Sequence, residues 1–212
     1  SLRRLENARV LVEMGQLQSE FSAAQVEVVV AEAALATPDL ADRVTGVSAQ
    51  LTISGMASSA AGARPAHILG VGPQAEVDFT NLDDQVIEGR YLQSDDRLAA
   101  FVGVGLVEAL DLRLGSRLVL TAQDTNKEIV GQLVRVVGVF RNGAPPVDNT
   151  VVHIPLAIAG EWLGSGDDVS KIAVMVEDST EVSSLVRRLR QALADPVDAG
   201  RVTVLGWREA MP

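Results

Sequence analysis

The chain has 212 residues, 47% of them hydrophobic but only 3% aromatic, enough for one large or two small domains with a core of Val, Leu, Ile and Ala. Its formal net charge of −10 argues against a nucleic-acid binder, which needs a basic face for phosphates, and against docking flat on an anionic membrane. It has no Cys, which excludes disulfides, thiolate nucleophiles and Cys metal sites. The longest uncharged run, Val44 to Ala63, is too rich in Ser and Thr for a membrane helix, and no secretory signal peptide is visible. The chain starts at Ser1 and not at Met, as an excised segment does.

Val10-Leu11-Val12 reads as the first strand, leading into Gly15 to Gln18. Ala31 to Leu40 is rich in helix formers, and Pro38 suits the first position of a second short turn. Val47, Ala49, Leu51 and Ile53 then alternate with polar residues, the period of two of a half-buried strand. Gly55 to Arg64 is small and polar and predicts a turn or mobile hairpin tip. Ala66 to Val71 returns as a strand and stops at Gly72-Pro73.

The middle segment reads as a loop at Gly89-Arg90-Tyr91-Leu92, a buried strand around Phe101-Val102, a short helix to Leu110, a Gly115 turn and a strand at Leu118-Val119-Leu120. A hairpin-length turn, Ala122 to Glu128, leads to the strand Val134 to Phe140. Asn142 to Asn149 is turn-rich and stiffened by Pro145 and Pro146. It predicts an interdomain connector or a rigid lip for a partner, with Asn142, Pro145 and Pro146 as contact candidates.

Near the C-terminus, Ile172, Val174 and Val176 mark a strand. Asp178 with Glu181 resembles a capping box, and Val182, Leu185, Val186, Leu189 and Leu193 form one apolar helix stripe. The helix is expected to stop near Asp195-Pro196, before the strand Val202 to Leu205. Arg187 and Arg188 fall on the polar face of that helix, as a solvated surface or a partner contact. Strand, helix, strand orders at both ends predict an α+β fold with a ferredoxin-type βαβ layer. That layer is expected over residues 1–84 and 150–212, with a small β-rich domain inserted at 85–149 and seams near Asp84 and Asn149.

No set of residues makes a convincing catalytic, cofactor or metal site. Gly103-Val104-Gly105 lacks the third glycine of a dinucleotide fingerprint, since Glu108 stands there; close backbone packing is the simpler reading. His67 and His153 have no metal-ligand spacing, and His153 lies in an apolar run where a satisfied ring is expected. Asp83-Asp84, Asp95-Asp96 and Asp167-Asp168 lack the spacing of a calcium loop and read as solvated loops. Gly164-Ser165-Gly166 lacks the spacing of a nucleophile elbow.

In order and spacing, several motifs resemble the extracytoplasmic domain of FtsX-like ABC-transporter permeases, the MacB-like periplasmic core domain. They are Gly89-Arg90-Tyr91-Leu92, Leu110 to Ser116, Val136-Val137-Gly138-Val139-Phe140, Ile154-Pro155-Leu156 through Trp162-Leu163-Gly164, and Trp207 to Pro212. The resemblance implies a porter-like α+β part with an inserted β part, set between the first two of four membrane helices. It implies a dimer with a second permease subunit and a cytoplasmic ABC ATPase that drives the machine. The domain's work would be coupling outside the membrane, with no cofactor, no catalysis and no nucleic acid. In the family's lipoprotein-releasing branch a long hook captures a carrier chaperone; the Ala122 to Glu128 turn is too short for one. A soluble extracytoplasmic ligand- or protein-binding module is the alternative, and a hydrolase a more distant one.

Overall fold

The computed structural model describes residues 8–14, 44–80, 82–176, 182–192 and 202–206. The strands are β1 (Ala8–Met14), β2 (Val44–Ser59), β3 (Gly62–Val71), β4 (Val86–Gly89), β5 (Ala99–Gly103), β6 (Arg117–Gln123), β7 (Ile129–Phe140), β8 (Val151–Pro155), β9 (Lys171–Val176) and β10 (Val202–Gly206). The helices are α1 (Pro73–Thr80), α2 (Val104–Ala109), α3 (Pro145–Thr150), α4 (Leu156–Leu163) and α5 (Val182–Ala192). The helix-rich stretch at Ala31 to Leu40, the Asp178 cap, the Asp195-Pro196 stop and Trp207 to Pro212 lie outside the described residues.

The first compact unit comprises residues 1–49 and 167–212. Its strands lie in the order β10-β1-β9-β2. By order of appearance within the unit this is 4-1-3-2, the ferredoxin-like arrangement. β1 is antiparallel to both β9 and β10, so those two run parallel with β1 between them and α5 connecting them. Leu185, Val186 and Leu189 of the predicted stripe are buried, while Arg187 and Arg188 are exposed. Arg190 turns back, donating from Nη2 to the Val204 carbonyl at 2.8 Å and so tying α5 to β10.

The second unit spans residues 50–166. Its seams therefore fall at 49/50 and 166/167 and not near Asp84 and Asn149. The reason lies in the pairing. β3 runs parallel to β8, β8 pairs β5, β5 runs parallel to β7, β7 pairs β6, and β6 returns to β2, which pairs β3. Six strands thus close into a hydrogen-bonded ring that takes in residues 50–71 and 151–155 along with the middle segment. Its interior is filled with side chains, as small barrels require. Ile53, Ile68, Val102, Leu118, Leu120, Val134, Val152 and Ile154 form that core.

Closure also narrows the turn or hairpin tip expected at Gly55 to Arg64 to its central two residues. β2 continues to Ser59, β3 restarts at Gly62, and only Ala60 and Ala61 turn the chain. The small residues serve the ring and not a turn. A Cβ on Gly55 would meet the Thr121 carbonyl oxygen, and Ala57 is fully buried opposite Leu120. Glycine inside a strand commonly marks such a close backbone approach.

A second core covers part of the ring's outer wall. Val71, Leu82, Tyr91, Leu92, Ala99, Phe101 and Phe140 pack there. A bulge in the β5–β7 pairing, between Ala100↔Val136 and Phe101↔Gly138, makes this possible. It sends Val136 and Val139 into the barrel core while Val137 and Phe140 join the outer one.

Candidate functional site

The Asn142 to Asn149 stretch is not a connector between the units; it lies inside the second one and holds α3. Pro145 and Pro146 occupy the helix start, where a missing N–H costs nothing. The carboxylate of Asp148, itself buried, accepts the Asn142 N–H at 2.7 Å and the Gly143 N–H at 3.2 Å. The Asn142 side chain donates to Gln85 Oε1 at 3.1 Å. Asn142, Pro145 and Pro146 are all exposed, so the stretch forms a braced lip with those side chains outward. Arg187 and Arg188 belong to the other unit.

Gly103 and Gly105 seat α3 against the start of α2. A Cβ on Gly103 would meet the Asp148 carbonyl oxygen, and one on Gly105 would meet Asn149 Oδ1. The packing reading of Gly103-Val104-Gly105 is the one the geometry bears out.

Two of the motifs interlock. β4 pairs with the end of β7 so that Gly89 stands opposite Gly138. Gly89 has φ +76, a conformation that favours glycine, and a Cβ on Gly138 would meet the Arg90 carbonyl oxygen. The Arg90 N–H donates to the Val137 carbonyl at 3.1 Å. Beyond this junction Arg90 forks onto Asp96, with contacts of 2.8 and 2.7 Å. Asp96 also accepts the Gln93 N–H at 2.8 Å. The hydrogen bond from Arg90 holds the Asp96 carboxyl below its usual range. So Asp96 is not simply a solvated member of an acidic doublet; it staples the loop that carries Tyr91 and Leu92. An arginine six residues before an aspartate was the available signal.

His153 lies in the second core, stacked on Phe140 with centroids 5.6 Å apart. Its Nδ1 has no partner, contrary to the satisfied ring expected, and burial lowers its pKa to about 4. Tyr91 packs edge-on against Phe101, its hydroxyl is also buried without a partner, and burial pushes its pKa up, with Glu76 and Asp83 adding to the effect. Register places His67 opposite Val151 and Leu69 opposite His153, so both histidines stand on the outer face of the ring, closer than the sequence implies. His67 is exposed and His153 is not. Among the described residues no group of three or more His, Asp or Glu could hold a metal.

Sequence reasoning missed Glu76, buried on α1 and accepting the Gln50 Nε2 hydrogen at 2.8 Å. Beside it, Pro73, Gln74, Val77, Leu92, Gln93 and Ser94 line a depression of about 160 Å³. That is below the roughly 300 Å³ at which small-molecule sites begin. No helix among the described residues is long and apolar enough to cross a membrane.

The extracellular domain of the noncanonic ABC-type transporter YknZ from Gram-positive bacteria shares this fold. Its TM-score is 0.64 at 18% identity, over 94% of this chain and 99% of that one. The periplasmic region of MacB from Actinobacillus actinomycetemcomitans matches with TM-score 0.61 at 15% identity, over 93% and 88%. A domain of a putative permease protein from Porphyromonas gingivalis matches with TM-score 0.52 at 14% identity, over 96% and 88%. The family model of the MacB-like periplasmic core domain covers residues 3–192, which take in the whole ring and all of the ferredoxin-type layer except β10, and the chain belongs to that family.

Proposed function

We propose that this domain couples ATP hydrolysis on the cytoplasmic side of a membrane to export, lipoprotein release or another event on the far side, as the ectodomain of an ABC-transporter permease. The pairing of β1 with β10 carries the reading. They are antiparallel neighbours, with Val10 opposite Gly206 and Met14 opposite Val202. The chain therefore enters the first unit and leaves it at the same end of one sheet. A domain carried between two consecutive membrane helices needs that arrangement, and a shift of either helix would act directly on the sheet.

The partners in this reading are a cytoplasmic ABC ATPase, reached through the membrane helices, and a second permease subunit. The exposed lip at Asn142, Pro145 and Pro146, and Arg187 with Arg188 on α5, are contact candidates for whatever meets the domain outside the membrane. The reading gives the domain no catalytic step of its own. The short β6–β7 hairpin, tied by the Asp124 N–H to the Glu128 carbonyl at 2.9 Å, supports a subunit without a chaperone-capturing hook.

The test uses the full-length permease with its ATPase in lipid nanodiscs. Since this region has no native Cys, an Arg188→Cys variant gives one spin label per domain. Distances between labels on the two subunits are expected to change when a nonhydrolysable ATP analogue binds. Distances that ignore the nucleotide, or a full-length protein that fractionates with the soluble proteins, would overturn the reading.

A further inference from the structure

The outer wall of the ring has two halves of different character. Over the end of β3, β8, β5 and the end of β7 it lies beneath the second core. Over β2, β6 and the first half of β7 it is bare. Val119 and Leu133, directly opposite each other, are 41% and 43% exposed; Met56, opposite Thr121, is 39% exposed. A contiguous exposed apolar patch of this kind commonly marks an interaction site.

Charge says what kind of partner fits. Arg117 and Arg135 face each other across the β6–β7 ladder at the edge of this patch, and both are exposed. Like charges in that position destabilise a sheet. Among the described residues neither guanidinium has a carboxylate partner; Arg135 Nη1 donates only to the Gly115 carbonyl, at 3.2 Å. Residues 50–59, 117–123 and 129–135 contain no Asp or Glu, although the whole chain carries a net charge of −10.

We propose that this bare wall is the docking surface for an acidic, partly apolar polypeptide segment of another protein. Its carboxylates would take Arg117 and Arg135 in bidentate fashion, and its apolar side chains would cover Val119, Leu133 and Met56. A second copy of this wall is a poor occupant, because two acid-free faces would bring arginines together without counter-charge. An anionic lipid surface is also disfavoured, since Asp124 and Glu128 stand at the hairpin tip bordering the patch. This inference goes beyond the coupling reading and does not depend on it.

The experiment titrates the full chain with a short synthetic peptide alternating Glu with Val, with its Lys-for-Glu counterpart, and with vesicles containing phosphatidylglycerol. The Glu peptide is expected to bind with an affinity that falls with salt, and the Lys peptide is expected not to bind. Arg117→Glu is expected to weaken binding by about tenfold or more. Its melting temperature is expected to hold or rise, because a Glu–Arg pair replaces two facing arginines. Val119→Ser with Leu133→Ser is expected to weaken binding as well. Equal binding of both peptides, binding untouched by Arg117→Glu, or binding to the vesicles alone would each overturn the proposal. So would self-association that Arg117→Glu abolishes. None of these outcomes would alter the nucleotide-dependent distances expected of the full-length permease.

Discussion

At Gly103 a side chain would run into backbone, the carbonyl of Asp148, whereas at Gly105 it would run into the side chain of Asn149, which can rotate away. The two glycines therefore predict an order of damage. Gly103→Ala is expected to cost about 2 kcal/mol, the usual scale of overpacking, and Gly105→Ala clearly less. Urea midpoints check this, and the reverse order would sink the packing account. Asp148 is the second test at this scale. Asp148→Ala leaves the Asn142 and Gly143 N–H groups without their acceptor, at a cost of about 2 kcal/mol, while Asp148→Asn keeps one acceptor and is expected to lose roughly half as much. The packing role of Gly103-Val104-Gly105 was legible because a carboxylate at Glu108 left phosphate binding little support. The role of Asp148 was not, because nothing in Pro145-Pro146-Val147-Asp148 says which way its carboxylate turns.

The β6–β7 hairpin shows what one element reveals of itself. Its length was readable from Ala122 to Glu128, and the structure keeps it short by local chemistry. Asp124 Oδ1 accepts the N–H groups of Asn126 and Glu128, both at 2.8 Å, and the Thr125 N–H reaches the Leu163 carbonyl at 3.2 Å. The cost falls on Lys127, which sits at φ +65. A left-handed lysine is strained by about 1 kcal/mol where glycine is not, so Lys127→Gly is expected to raise stability by up to about that amount. Thermal unfolding checks it, and a destabilised variant would show that Lys127 contributes contacts outweighing the strain. The β2–β3 hairpin shows the opposite limit. Gly55, Ala57 and Ser58 have the composition of a turn and also that of a strand pressed against a neighbour's backbone. Only pairing with β6, more than sixty residues later in the chain, separates the two readings.

At the scale of the molecule the ferredoxin-type layer was legible because the helix stripe at Val182 to Leu189 lies between two strands close in sequence. The closed ring was not legible, because its closure joins β2 to β6 and β3 to β8, and long-range pairing leaves no period in any window. Ring and cover together bury a titratable ring within the second unit. His153 faces outward from β8 into the second core, between Phe101 and Phe140, and burial alone lowers its pKa from 6.5 to about 4. The unfolded chain takes up a proton on this ring as pH falls through 6.5; the folded unit does not until about 4. Its contribution to stability is therefore complete above pH 6.5 and is lost as pH falls from 6.5 towards 4, by on the order of 3 kcal/mol in all. His153→Phe keeps an aromatic ring against Phe140 and removes the titration. In denaturant unfolding followed from pH 7 to pH 4.5, the wild type is expected to lose stability relative to the variant, with a difference that grows below pH 6.5. If the two curves fall in parallel across that range, His153 is protonated in the folded state and the second core does not exclude water as its packing requires.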